Sequence, residues 1–112
     1  MRAARIPELG GQLRLEEVDA PKREAGQALL APTAVPLNPI DVATSRGTFY
    51  GGSPPTPYTP GSEGVAKVIE ADSLSAGTRV YVSGDGLGRS RDGTLAELAV
   101  IAEEIPTAIP NR

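Results

Sequence analysis

Gly64-Val65-Ala66-Lys67-Val68-Ile69-Glu70-Ala71 and Thr78-Arg79-Val80-Tyr81-Val82-Ser83 are the two stretches whose reading decides the fold. In the second, Val80 and Val82 fall on one side of an extended chain and Arg79 and Tyr81 on the other. That two-residue period belongs to a strand with one buried face. Around these stretches the 112 residues hold 13 glycines and 11 prolines. So many turn formers suit an all-β domain and argue against a helical bundle.

Outward from this pair, residues 1–6 and 12–18 read as two short strands parted by Gly10-Gly11. Leu13 and Leu15 alternate there with Arg14 and Glu16, the period of a half-buried strand. Residues 27–37 are apolar with two interrupting prolines, which predicts a strand bent at Pro32 or lying on an edge. Asn38 is a good N-cap and Pro39 a good first helical residue, so a short helix is predicted to about Arg46, where Gly47 can end it. Residues 51–61 carry four prolines and three glycines and must be a loop. Residues 84–93 read as a polar, flexible loop, residues 95–101 as an apolar run open to strand or helix, and residues 105–109 as a last strand. No repeat or internal domain boundary interrupts this order, so the fold class is all-β, mainly strand with one or two short helices.

Composition removes several function classes. Hydrophobic residues at 39% and charged residues at 22% are near globular averages, which argues against wholesale disorder. A net charge of −3 with scattered basic residues gives no footprint for nucleic acid. No apolar run approaches the length of a bilayer span, and Met1-Arg2-Ala3-Ala4-Arg5 lacks the apolar core of a secretion signal, so the expected location is cytoplasmic. There is no cysteine and no histidine. Disulfides, thiolate nucleophiles and imidazole bases are thereby excluded, and no metal site is expected, zinc included.

Several segments carry a family resemblance through their order and spacing. They are Leu13-Arg14-Leu15-Glu16-Glu17-Val18, Asn38-Pro39-Ile40-Asp41, Arg46-Gly47 with Phe49-Tyr50, Pro60-Gly61-Ser62-Glu63-Gly64-Val65, Ala76-Gly77-Thr78-Arg79-Val80 and Gly93-Thr94-Leu95-Ala96-Glu97. Together they resemble the N-terminal GroES-like domain of medium-chain dehydrogenases/reductases across nearly the whole chain. Zinc alcohol dehydrogenases of that family carry a ligand cysteine at the place of Asn38 and a histidine at the place of Ser62. Both departures point to the zinc-independent quinone oxidoreductase branch. Ala43 stands where many of its members have a tyrosine.

The resemblance implies a GroES-like, partly open β-barrel and a single substrate-side domain over residues 1–112. The implied activity is hydride transfer from NADPH to a quinone, enone or similar conjugated carbonyl, without zinc. In the family a Rossmann domain follows and receives the pyrophosphate at a helix N-terminus. Gly84-Asp85-Gly86-Leu87-Gly88 has the wrong spacing for that role, and no βαβ unit follows it. The chain is therefore expected to be a truncated product or trimmed fragment, inactive alone and without bound cofactor. Its uncovered cleft wall is expected to self-associate, as a homodimer for instance.

Asn38 is the leading candidate for an electrostatic catalytic role and for contact with the cofactor; its alternative is a helix cap. Asp41 is the second cofactor-side candidate, against the plain role of a first-turn carboxylate. Arg46, Phe49, Tyr50 and Ser62 are the candidate substrate pocket. Phe49 and Tyr50 alternatively plug one end of the barrel, and Arg46 alternatively serves as a helix C-terminal cation. Glu63 is expected to pair with a nearby arginine rather than to transfer protons. The competing reading is a non-catalytic β-barrel interaction module. It would be chaperonin-cofactor-like, or a ligand through the overlapping Pro-x-x-Pro frames of residues 53–60.

Overall fold

The computed structural model describes residues 1–110. The chain runs β1 (Arg2–Arg5), β2 (Arg14–Glu17), β3 (Gln27–Ala34), α1 (Pro39–Arg46), β4 (Glu63–Glu70), β5 (Arg79–Ser83), β6 (Ala99–Ala102) and β7 (Thr107–Ala108). β1 and β2 form a two-stranded ribbon, and the other strands make one antiparallel sheet in the order β6-β3-β4-β5-β7. The sheets do not close on each other, as a partly open GroES-like barrel requires.

The two decisive stretches are neighbours, with Ala66 opposite Val80 and Gly64 opposite Val82. Their inward residues join Ala28, Leu30, Val68, Leu87 and Ile101 in one core cluster. Full burial of each branched side chain there contributes roughly 1.5–3 kcal/mol. The register of β3 on β4 shifts between Pro32 and Ala34, so the strand bends at the proline, which has no N–H for the ladder. Of the ambiguous run only the end is strand: Ile101 pairs with Ala28 and Ala99 with Leu30, burying alternate residues, while residues 95–98 lie outside the strands.

α1 obeys its local signals. Gly47 is left-handed at φ +78°, and the N–H groups of Gly47 and Thr48 donate to the carbonyls of Thr44 and Ala43. Those two bonds are a Schellman motif that satisfies the helix's last acceptors.

Two expectations need correction. Leu13 and Leu15 are 47% and 70% exposed. The strand is there, but its leucine face opens on a groove of about 480 Å³ shared with Ala4, Pro32 and Leu95 instead of entering the core. Residues 84–88 are likewise no slack loop. Leu87 is 1% exposed within the main core, and the segment is wound into turns in which Gly86 accepts from the N–H groups of Arg89 and Ser90. Among the described residues no helix is long and apolar enough to cross a membrane.

The loops meet the sheet through backbone contacts that admit no side chain. Gly93 N–H donates to Thr59 at 2.7 Å, Thr94 N–H to Gly61 and Leu95 N–H to Pro60, both at 3.0 Å. A Cβ on Gly93 would lie 2.0 Å from the Gly61 carbonyl oxygen, and one on Gly88 would lie 2.8 Å from Gly61 N. Gly93→Ala is therefore expected to cost at least about 1–3 kcal/mol in urea unfolding, the usual range for overpacking. A loss below about 0.5 kcal/mol, the scale of an ordinary surface change, would contradict this packing.

Candidate functional site

Glu63 opens β4 and lies opposite Ser83, diagonal to Tyr81, on the face of the sheet turned away from the core. A diagonal cross-strand neighbour is within reach of a tyrosine side chain. The Tyr81 hydroxyl donates to Glu63 Oε2, and Asn38 Nδ2 donates to Glu63 Oε1 at 2.7 Å. Each carboxylate oxygen thus has its own donor. Among the described residues the expected ion pair with an arginine does not form: the carboxylate is claimed instead by a tyrosine that the sheet register brings beside it.

Asn38 and Asp41 occupy the positions of a reciprocal capping box. The half that closes well is the reverse one, in which the Asp41 carboxylate accepts Asn38 N–H at 2.8 Å. The Asn38 carboxamide makes no cap hydrogen bond of normal geometry and is directed instead to Glu63. The backbone of Asn38 thus holds the cap position, while its side chain joins the Glu63 cluster. Asp41 itself is 5% exposed. Its Oδ1, Thr44 Oγ1 and the Tyr58 hydroxyl are buried polar atoms without a protein hydrogen-bond partner. Burial, and then the charge of Asp41, hold the Tyr58 hydroxyl above the usual tyrosine range.

Asn38, Ile40, Ser62, Glu63, Ser83, Gly84 and Arg89 line a cavity of about 240 Å³. Of the residues singled out in the sequence, Asn38, Ser62 and Glu63 meet here, with Asp41 supporting Asn38 from behind. Arg46 lines a separate cavity of about 320 Å³ with Leu13, Leu37 and Val42. Phe49 and Tyr50 lie against each other, tilted by 45°, with ring centres 4.6 Å apart, and Tyr50, at 98% exposure, plugs nothing. Arg89, which no local signal marked, places its guanidinium 5.3 Å from the centre of the Phe49 ring, so Phe49 touches the pocket through that cation. The larger groove beside β2 is mostly apolar; on its rim Arg2 and Glu97 pair with each other, and Arg14 adds one further cation. Pro54 and Pro60, the outer prolines of the two Pro-x-x-Pro frames, are buried, which removes them from a partner's reach.

The tyrosine hydroxyl, and then the Asn38 amide, stabilise the ionised carboxylate and hold Glu63 below the usual range. The same hydrogen bond holds Tyr81 above its ordinary value. Glu63 therefore adds stability above its unfolded value of about 4.3 and loses it as pH falls through the lower folded value. Tyr81 adds stability below about 10 and loses it as pH rises through the higher folded value.

The alcohol dehydrogenase GroES-like domain model matches residues 24–111. The chain is 37% identical to a quinone oxidoreductase of Homo sapiens over all of its length and 34% of that protein's. It is 31% identical to a zinc-type alcohol dehydrogenase-like protein of Schizosaccharomyces pombe, over 88% of the chain and 30% of that protein. Its structure superposes on the quinone oxidoreductase of Thermus thermophilus, solved alone and in complex with NADPH, with a TM-score of 0.80 at 27% identity. That match covers 99% of this chain and 33% of the other. The chain spans about a third of the length of the curated relatives it matches.

Tyr81→Phe is expected to raise the midpoint of the Glu63 carboxyl, followed by carbon-13 NMR, toward the ordinary glutamate value. An unchanged midpoint would show that the tyrosine does not hold the carboxylate.

Proposed function

The chain belongs to the alcohol dehydrogenase GroES-like domain family, and from that premise we propose that it forms the substrate-side wall of an NADPH-dependent, zinc-independent oxidoreductase acting on a quinone, enone or similar conjugated carbonyl. The observation that carries this reading is the Asn38–Glu63–Tyr81 chain of hydrogen bonds at the edge of the 240 Å³ cavity. A carboxamide nitrogen has two hydrogens, and Glu63 takes only one. The carboxylate thus orients the amide while leaving a second N–H for a ligand. Such a pre-oriented donor stabilises negative charge as it develops on a carbonyl oxygen.

The donor set does not suit zinc. It consists of an amide, a hydroxyl and a carboxylate with both oxygens already hydrogen-bonded, whereas protein zinc sites are built from thiolate, imidazole and free carboxylate. No step is assigned to a metal. For the cofactor's nicotinamide end the residues fit better, because Asn38 keeps a second N–H beside a cavity. NADPH, when bound, supplies the hydride; the protein's part is placement and electrostatics. Asn38 meets the ring or the substrate carbonyl, Glu63 and Tyr81 orient Asn38, and Asp41 fixes its backbone. Ser62 lines the substrate side, with Phe49 behind Arg89; Arg46 and Tyr50 lie outside the proposed site.

Pyrophosphate groups are commonly held at a helix N-terminus. The one helix among the described residues begins at Pro39, which has no N–H, and its first turn already carries Asp41. The 112 residues alone are accordingly expected to bind NADPH no better than about millimolar and not to turn over.

The test is Asn38→Ala in the full-length gene product, assayed with NADPH and a neutral quinone. Turnover is expected to fall about 100-fold or more, while loss of the cap position costs only about 1 kcal/mol of stability. Near-normal turnover in a variant that melts early would reduce Asn38 to a cap.

A further inference from the structure

Arg89 is the one charged group of the pocket that the hydride-transfer reading leaves without a task. It follows Leu87 and Gly88, one buried in the core and the other packed on the Gly61 backbone, and its N–H donates to Gly86 at 3.0 Å. Its backbone is therefore held in place. Its guanidinium lies over Phe49 at 5.3 Å from the ring centre, a cation–π contact that steadies the group without neutralising its charge.

Among the described residues Arg89 has no carboxylate partner, although Asp85 and Asp92 are close to it in sequence and Glu63 lines the same pocket. Asp85 is taken by Arg91 at 2.8 Å and by Ala102 N–H at 2.9 Å. Asp92 is taken by Arg5 at 3.2 Å and by Thr59 N–H at 2.8 Å. Glu63, on the same pocket wall, has both oxygens engaged by Tyr81 and Asn38. The acids that could neutralise Arg89 are committed elsewhere, and the open cation faces a cavity that also presents the Asn38 amide and the Ser62 hydroxyl.

We propose that Arg89 is a specificity residue that selects conjugated carbonyl substrates bearing a carboxylate, with Asn38 at the carbonyl and Arg89 at the acid. This rests on the hydride-transfer reading for the reaction, but the recognition itself is a binding property of the chain and is measured without turnover. A planar guanidinium matches a carboxylate with two parallel hydrogen bonds, which a neutral quinone cannot supply. The same cation would also accept a phosphate, so the two anions are tested apart.

Nitrogen-15 NMR of the chain is recorded during titration with trans-4-oxo-2-pentenoate, with the neutral trans-3-penten-2-one, and with inorganic phosphate at matched ionic strength. The enone acid is expected to shift the amides of Asn38, Ser62, Gly84 and Arg89 saturably, with a Kd at least about tenfold below that of the neutral enone, as hydrogen bonds to charged groups imply. Arg89→Gln, an exposed change whose fold is checked in the same spectra, is expected to erase that preference, and Arg89→Lys to keep part of it. Equal binding of acid and neutral enone, no binding of the acid, or a preference that survives Arg89→Gln would overturn the proposal. Tighter binding of phosphate than of the enone acid would do so too, by assigning the cation to a phosphate. Selective binding of the acid beside a full-length product that reduces neither enone would instead sink the hydride-transfer reading and leave Arg89's selectivity standing.

Discussion

Three backbones meet where no side chain can fit. The Gly61 peptide lies against Gly88 and Gly93 so closely that a Cβ on either would overlap it. Ser62 and Glu63 leave this contact directly and enter β4, whose next residues form the core ladder with β5. Arg89 leaves it one residue after Gly88. Thr94, beside Gly93, ties the strand entrance by donating from Oγ1 to the Glu63 carbonyl at 2.8 Å. One steric constraint thus fixes both the carboxylate and the cation of the pocket relative to the sheet. Rigid scaffolds that present loop-borne groups in this way are how binding sites keep their geometry.

The site built on that constraint separates charge from contact. Glu63 carries a formal negative charge, yet both oxygens are spent on Tyr81 and Asn38, so it acts by orienting a neutral amide. Arg89 keeps its positive charge open and is steadied by an aromatic face. Asp41 is withdrawn into the interior and acts on the pocket only through the Asn38 N–H. On the proposed reading this division leaves a donor for a carbonyl and a cation for an acid within a single cavity. On that same reading the fold supplies position, and redox chemistry would stay with the cofactor.

Much of this was legible in the residues, for identifiable reasons. The helix could be bounded at both ends because Asn38, Pro39 and Gly47 act through local backbone geometry. β5 could be given an inner and an outer face because Val80 and Val82 alternate with polar or amphipathic residues. The same reasoning misassigned Leu13 and Leu15, since a two-residue period shows that a strand has two faces but not which one meets a core. Leu87 looked like loop filler among glycines because only the folded chain brings the core to it. The partners of Glu63 were out of reach for a related reason: Tyr81 arrives by sheet register across 18 positions, and no local pattern encodes it. Arg89 gave no signal at all, being one cation in a polar stretch until Phe49 and the cavity stand beside it.

The central claim is that the Asn38 carboxamide, oriented by Glu63, faces the nicotinamide end of a bound cofactor. The most direct measurement is proton NMR of the full-length gene product with NADPH, with the Asn38 side-chain amide assigned. Nuclear Overhauser contacts between that amide and the nicotinamide ring protons are the expected result. Saturating NADPH that leaves the Asn38 amide without any contact to the ring, while binding elsewhere on the protein, would contradict it.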